Sequence, residues 1–176
     1  MKYNPEKHHR RSIRLKGYDY SQEGLYFITI CVQNREHLLG EIKNGEMILS
    51  ECGKIADECW KEIPKHFPNA VLHEYIIMPN HIHGIIEFRT VIGANNHSPE
   101  PNNHSPHFRS PSKTIGSVVR GFKIGVTKWA RQNTNIETVW QRNYYEHIIK
   151  DERAYQNISN YIINNPIKWN EDKFYK

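Results

Sequence analysis

The sequence predicts a single α+β domain, in which a ferredoxin-like antiparallel sheet carries helices on one face. Three observations lead to this fold class. The chain has 176 residues, which suits one domain with its own core (1–176) but not two. Its apolar patterns follow the order strand, helix, strand, strand, helix, strand, helix. Hydrophobic residues make up 38% and charged residues 24%, as is typical of globular proteins.

The predicted strands lie mainly in the first half of the chain. Residues 25–32 are rich in β-branched and aromatic side chains, which favours a buried strand. An Asn-Gly pair at 44–45 predicts a tight hairpin turn. Residues 70–78 and 81–88 form two further strands, joined by a Pro-Asn turn. A last strand with a turn is expected within residues 140–150. The sheet face away from the helices, or a sheet edge, is expected to stay free.

Three amphipathic patterns predict the helices. Ser50 is a suitable N-cap for the first helix, whose apolar face consists of Cys52, Ile55, Ala56, Cys59 and Ile63. A second helix covers residues 113–132. A third begins at about residue 151 and ends at 165, because Pro166 disfavours helical geometry in the residue before it.

Residues 89–112 interrupt these patterns. The pentad NNHSP occurs twice there, among further serine, proline and histidine residues. This composition supplies too few apolar side chains for a packed core, so it predicts a mobile surface loop.

Positive charge is concentrated at two places in a chain of formal net charge +5. Residues 1–20 form a basic N-terminal arm, and the helix predicted at 113–132 contains cations but no acid. Such clusters are typical of surfaces that contact a phosphate backbone, although a solvated basic face has the same appearance. The candidate DNA-binding residues are Arg10, Arg11, Arg14, Arg120, Lys123 and Arg131.

The composition also indicates the cellular compartment of the protein. The chain has no apolar run of about 18 residues, and its basic start lacks the apolar stretch of a secretory signal. Its three cysteines lack CxxC spacing, which favours buried thiols in a reducing environment over a disulfide framework. We therefore expect a cytoplasmic protein with no membrane partner.

The triplet His81-Ile82-His83 is a candidate metal site. Residues two apart on a strand project to the same side, so the two imidazoles converge. Tyr161 and Asn165 are four residues apart on the last helix and share one of its faces. With the histidines, an asparagine oxygen gives three ligands and leaves positions open for substrate. The alternative is that Tyr161 only continues an apolar helix stripe.

Five stretches of the sequence, taken together, resemble one known family. They are RRSIRLKGYDY, LYFITICVQNREHLLGEI, EYIIMPNHIHGIIEF, VWQRNYYEHIIKDE and NYIINNPIKW. In this order they resemble the REP-associated tyrosine transposases, which belong to the single-tyrosine HUH transposases. The resemblance covers nearly the whole chain except the NNHSP loop and the last few residues, and the MPNHIHGII and YIINNP segments are its most specific parts.

The resemblance implies an HUH endonuclease that cleaves single-stranded DNA and religates it without an energy cofactor. His81 and His83 match the HUH pair, and Tyr161 matches the nucleophile of the YIxxNP motif, which would form a 5′-phosphotyrosine. Asn165 matches the third metal ligand. The family implies Mg²⁺ or Mn²⁺, whereas imidazole ligands by themselves favour a softer ion, so purified protein is expected to carry Ni²⁺ or Zn²⁺ in some preparations.

The expected partner is single-stranded or hairpin DNA, bound by a monomer or a homodimer associated with the bacterial nucleoid. Two other functions compete with this one. A non-catalytic single-stranded nucleic-acid-binding module would bind without metal and form no adduct. A metal-dependent hydrolase that uses the histidine pair would keep its activity without Tyr161.

Overall fold

The computed structural model describes residues 22–89 and 114–175. The predicted basic arm, with Arg10, Arg11 and Arg14, lies outside these residues, as does nearly all of the predicted loop. The strands are β1 (Gly24–Cys31), β2 (Gly40–Lys43), β3 (Glu46–Leu49), β4 (Ala70–Met78), β5 (His81–Phe88) and β6 (Tyr145–Ile149). The helices are α1 (Glu51–Lys61), the single turn α2 (Ile63–His66), α3 (Ile115–Asn133) and α4 (Glu152–Asn164).

The main sheet has four strands in the order β4-β5-β1-β6, and every neighbouring pair is antiparallel. With α1 between β1 and β4, and α3 between β5 and β6, this order is the ferredoxin-like arrangement, so the predicted fold class is confirmed. β2 and β3 form a separate hairpin. Its turn uses Asn44 and Gly45 at φ values of 54° and 78°, as the Asn-Gly pair predicts.

One face of the sheet forms the main core against α1 and α3. Alternate residues of β1 and β5 point there, and they pack with the aromatic rings of Trp60 and Phe122, which lie 5.5 Å apart. Trp60 is absent from the face predicted for α1, although it is only 1% exposed. It fits because Gly84 leaves room for it: a β-carbon on Gly84 would lie 2.3 Å from the indole ring.

The opposite face carries α4. The apolar contacts there are fewer, and they centre on the fully buried Ile85 and Ile162 with Phe27 beside them. This face, expected to stay free, is therefore partly covered by the last helix. The reason lies in β1 and β5, whose residues facing away from the main core are themselves partly apolar. Within the described residues, no helix is long and apolar enough to cross a membrane.

Candidate active site

Two buried histidines on β5 face α4. The side chains of His81 and His83 project from one side of the strand, while Ile82 points into the main core. Their ring centroids are 4.4 Å apart, and the residues are 0% and 1% exposed. The structure thus brings the two imidazoles together at the start of β5, directly after the Pro-Asn turn.

Asn80 fixes the protonation form of His81. Its amide nitrogen donates to the main-chain carbonyls of Arg35 (3.3 Å) and Phe174 (2.9 Å), so its oxygen faces Nδ1 of His81 at 2.9 Å. Because an amide oxygen only accepts, Nδ1 must carry the hydrogen. Nε2 then holds a lone pair, and among the described residues this buried nitrogen has no hydrogen-bond partner. Metal-binding histidines are oriented in the same way.

His83 is contacted at both ring nitrogens. Its Nδ1 lies 2.8 Å from the hydroxyl of Thr29 on β1, and its Nε2 lies 3.1 Å from the phenol oxygen of Tyr161. A threonine hydroxyl either donates or accepts. The Nε2 atom of His83 can therefore either donate to the phenol or present a lone pair to a cation.

The surroundings keep both imidazoles neutral. Burial lowers the pKa of His81 to about 3, against the opposing effect of the Asp172 carboxylate. Burial also lowers the pKa of His83, and the neighbouring His81 lowers it further. The neutral imidazole is the form that binds metals.

Tyr161 projects from α4 toward the histidines. Its hydroxyl donates to Oδ2 of Asp172 at 3.0 Å, and its ring packs edge-on against Phe27 with centroids 6.4 Å apart. Burial, together with the negative charge of Asp172, raises the pKa of Tyr161 above its ordinary value. The phenol is therefore protonated at neutral pH, and it can act as a nucleophile only if a nearby group accepts its proton.

Asn165 and Asp172 complete the cluster. The amide nitrogen of Asn165 donates to Oδ2 of Asp172 at 2.9 Å, so its oxygen is the atom left over. That oxygen is buried and has no hydrogen-bond partner among the described residues. Ligand atoms of His81, His83 and Asp172 all lie within 4.8 Å of one another. Their donor set fits a divalent cation.

The sequence did not predict Asp172 as a site residue, because the segment after Pro166 has no periodicity that would place this carboxylate. The structure holds this segment against the histidine hairpin. The rings of Trp169 and Phe174 lie 5.9 and 4.4 Å from that of His81, between centroids. The backbone N–H of Phe174 donates to Oδ1 of Asp172 at 2.7 Å, which orients the carboxylate.

An irregularity in β4 provides a second set of contacts with α4. The pairing register between β4 and β5 shifts between Leu72 and Tyr75, as in a β-bulge. Leu72 and Tyr75 both pack on the main core, so the extra residue of β4 lies between them, at His73 and Glu74. Both of these side chains bond to α4. The bulge thus directs two consecutive polar side chains to the same helix.

We name these contacts the α4 latch, formed by His73, Glu74, Glu87, Tyr155 and Ser159. The hydroxyls of Tyr155 and Ser159 donate to one carboxylate oxygen of Glu74, at 2.9 and 3.1 Å. His73 bridges the Tyr155 hydroxyl (3.2 Å) and the Glu87 carboxylate (2.8 Å). Its two helix residues, Tyr155 and Ser159, lie within two turns before Tyr161, and the latch fixes α4 on the sheet.

The predicted DNA-binding residues of α3 line a groove between α3 and residues 137–146. This basic groove has a volume of about 1190 Å³, and its cations are Arg120, Lys123, Lys128, Arg131 and Arg142. The Nζ atom of Lys123 donates to the carbonyls of Gln141 and Asn143 at 2.8 and 3.0 Å. Burial lowers the pKa of Lys123 to about 8. Lys123 therefore ties α3 to the opposite wall of the groove.

Comparisons with known proteins agree with this fold. A protein of unknown function from Haemophilus influenzae is 53% identical over 175 residues, covering 99% of this chain and 97% of the relative. A second protein of that organism, assigned to the REP-associated tyrosine transposases, is 26% identical over 156 residues, covering 85% of this chain and 74% of the relative. No protein-family model matches the sequence.

A solved structure has the same fold. It is that of the REP-associated tyrosine transposase bound to a REP hairpin, with a TM-score of 0.61 and 19% identity, covering 93% of this chain and 77% of that chain. Both have the same α+β fold, with the four-stranded antiparallel sheet and helices described above. The chain thus resembles the REP-associated tyrosine transposases in sequence and in fold.

Proposed function

We propose that this protein is a transposase that cuts and rejoins single-stranded DNA containing hairpins, with Tyr161 as its nucleophile. The observation that carries the proposal is the position of the Tyr161 hydroxyl. It lies 3.1 Å from Nε2 of His83, beside the buried and unpartnered Nε2 of His81. The histidine pair beside the phenol can hold a metal ion that binds the scissile phosphate. The Asp172 carboxylate on its other side can accept the phenol proton.

The residues present fit a divalent metal ion. At this site two buried atoms with lone pairs, Nε2 of His81 and Oδ1 of Asn165, have no hydrogen-bond partner among the described residues, and a cation would satisfy both. His81, His83 and Asn165 are the proposed ligands, with Mg²⁺ or Mn²⁺ as the working ion. A bound cation would polarise the scissile phosphate and offset the charge on its non-bridging oxygens.

The chemical step needs no nucleotide cofactor. The Tyr161 oxygen forms a bond to phosphorus, and the bond from phosphorus to the 3′ oxygen breaks. The tyrosine proton passes to Asp172, which already accepts that hydrogen bond at 3.0 Å. A proton is returned to the leaving oxygen, giving a free 3′-hydroxyl and a 5′-phosphotyrosine. Because the new ester replaces the old one, the 3′-hydroxyl of another strand can reverse the reaction.

The basic groove supports the assignment of DNA as substrate. It lies on the main-core side of the sheet edge formed by β6, lined by α3 and by Glu146 of that strand. Tyr145 on the same strand faces the other side, where its ring is 6.4 Å from that of Phe27 next to Tyr161. We propose that the hairpin stem contacts Arg120, Arg131 and Arg142 in the groove while the strand to be cut passes the β6 edge. The proposed setting is the bacterial cytoplasm.

The proposal is tested by asking whether the protein forms a covalent adduct with DNA. The protein is incubated with Mn²⁺ and a pool of single-stranded hairpin oligonucleotides that carry a label at the 5′ or the 3′ end, and is then run on a denaturing gel. A 5′-phosphotyrosine retains the downstream strand, so we expect labelled protein only from the 3′-labelled pool. Tyr161→Phe should abolish the band, while the matched control Tyr155→Phe, on the same helix, should retain it.

The two competing functions give different results. Tight binding of hairpins without any adduct, with or without Mn²⁺, indicates a nucleic-acid-binding module. Cleavage that persists in Tyr161→Phe indicates a hydrolase that uses the histidine pair with water. Either result contradicts the proposed nucleophile.

A further inference from the structure

The outer side of α4 carries an unusual row of asparagines beside the nucleophile. Asn157, Tyr161 and Asn164 are spaced by four and three residues, so they share one stripe of the helix, and Asn160 flanks it. All four residues are exposed. They border a groove of about 400 Å³ that also contains Asn165 and Asp172, so the groove opens at the candidate active site.

Helix stability does not explain these asparagines. Asparagine is a poor helix former, because its amide competes for backbone hydrogen bonds. Only one of the three has a local bond: the amide of Asn164 donates to the carbonyl of Asn160 at 2.7 Å. In the described chain the side chains of Asn157 and Asn160 have no hydrogen-bond partner, and none of the three caps α4, whose N-cap is Asp151.

The chemistry of the groove suits a nucleobase better than a phosphate. Its wall is mainly uncharged amides, with Lys168 as the one cation and Glu171 and Asp172 as acids. A primary amide offers a donor and an acceptor side by side, which matches the edge of an adenine in particular. The basic groove, lined by five cations, has the opposite character and suits the backbone.

We propose that the asparagine groove binds an unpaired nucleobase that neighbours the scissile phosphate, and so determines which phosphodiester is cut. This inference rests on the proposed function of Tyr161. From Asn157 to Asn164 the helix rises roughly 10 Å at about 1.5 Å per residue. This length spans about three nucleotides at the stacked spacing of roughly 3.4 Å. The base then lies beside α4 while its phosphate reaches Tyr161.

The experiment pairs protein variants with altered DNA. An oligonucleotide that forms the Tyr161 adduct is remade with one abasic residue at a time at the four positions on each side of the cut. In the wild type we expect one or two positions at which base removal slows adduct formation, by roughly five- to a hundred-fold as for a lost bidentate base contact. In Asn157→Ala and Asn160→Ala this penalty should shrink to less than twofold at the same position.

A matched control separates base binding from helix effects. Asn133 ends α3 and donates to the carbonyl four residues earlier at 2.9 Å, as Asn164 does on α4, but it lies away from the groove. Asn133→Ala should keep the full abasic penalty. Exposed asparagine-to-alanine changes raise helix propensity, so all variants should fold, as thermal melting would verify.

Two outcomes are decisive. The inference is overturned if the asparagine variants form the adduct and show the wild-type penalty at every abasic position. The failure of the proposed function is distinguishable, because then the unmodified protein forms no Tyr161 adduct with any oligonucleotide.

Discussion

The two faces of the central sheet are built on different principles. The face toward α1 and α3 is closed by buried apolar side chains such as Tyr26, Ile28 and Trp60. The face toward α4 has a small apolar contact around Ile162, and polar side chains lie on either side of it. On one side is the α4 latch, and on the other are the histidines with Tyr161 and Asp172.

This difference separates stability from chemistry. Apolar burial is non-directional and strong, so the α1 and α3 face supplies most of the stability of the fold. Hydrogen bonds are directional and contribute little net free energy, but they fix orientation. The hydrogen bonds of the α4 face therefore set the positions of the proposed reacting groups, and its polar residues can change with small effects on unfolding.

The largest effect on the free energy of unfolding is expected from a substitution in the main core. Trp60→Ala removes a 1%-exposed side chain and should lower the free energy of unfolding by about 3–5 kcal/mol, measured by urea denaturation. Trp60→Phe is the control. It keeps most of the packing and removes an indole N–H that has no hydrogen-bond partner in the described chain, so its cost should be less than half as large. Equal losses would contradict this account of the core.

On the other face, Asp172→Asn should slow adduct formation by about 10²–10⁴-fold, because it removes the acceptor of the Tyr161 proton. The change in the free energy of unfolding should stay below about 1 kcal/mol, since the site is away from the main core. Titration with Mn²⁺ decides the role of the residue. If the affinity for Mn²⁺ falls more than a hundredfold, Asp172 is a metal ligand rather than the proton acceptor.

Asn80→Ala should act on the metal through His81. Without the amide oxygen, the hydrogen at Nδ1 of His81 is no longer fixed, and the affinity for Mn²⁺ should fall by about 10–100-fold, as measured by calorimetric titration. Asn133→Ala, at an exposed asparagine at the end of α3, is a comparison variant that should bind Mn²⁺ as the wild type does. An unchanged affinity in Asn80→Ala would exclude this orienting role.

The smallest effect is expected at the latch. Tyr155→Phe removes one hydroxyl that bonds to Glu74 and His73, and it should lower the free energy of unfolding by about 1 kcal/mol. Adduct formation should slow a few-fold at unchanged DNA affinity, because the helix that carries Tyr161 is held less firmly. A large loss of DNA binding would mean that the latch residues contact the strand directly.

The sequence predicts the fold because its strongest signals are local. The strands at 70–78 and 81–88 have the predicted bounds, since apolar runs on both sides of a Pro-Asn turn leave little choice of register. The convergence of His81 and His83 follows in the same way from the two-residue period of a strand. The final strand is shorter than expected, Tyr145–Ile149, because most of residues 134–144 form a connecting segment without regular structure.

What the sequence does not predict depends on contacts between distant residues. Asp172 lies in a segment without periodicity, and its position follows only from the packing of Trp169 and Phe174 on the histidines. Similarly, a bulge that turns both His73 and Glu74 to α4 breaks the alternation on which strand assignment depends. The indole ring of Trp60 fits in the core only because Gly84 has no side chain, and Gly84 lies on β5, far from α1 along the chain.

The central claim is that the nucleophile is Tyr161, and peptide mapping of the DNA adduct tests it most directly. After reaction with Mn²⁺ and a hairpin oligonucleotide, nuclease trimming and tryptic digestion yield the peptide 154–168, which contains Tyr155 and Tyr161. Fragmentation in a mass spectrometer then assigns the remaining nucleotide to one of them. We predict a nucleotide mass on Tyr161 alone; a nucleotide on Tyr155, or on a peptide outside 154–168, would contradict the account.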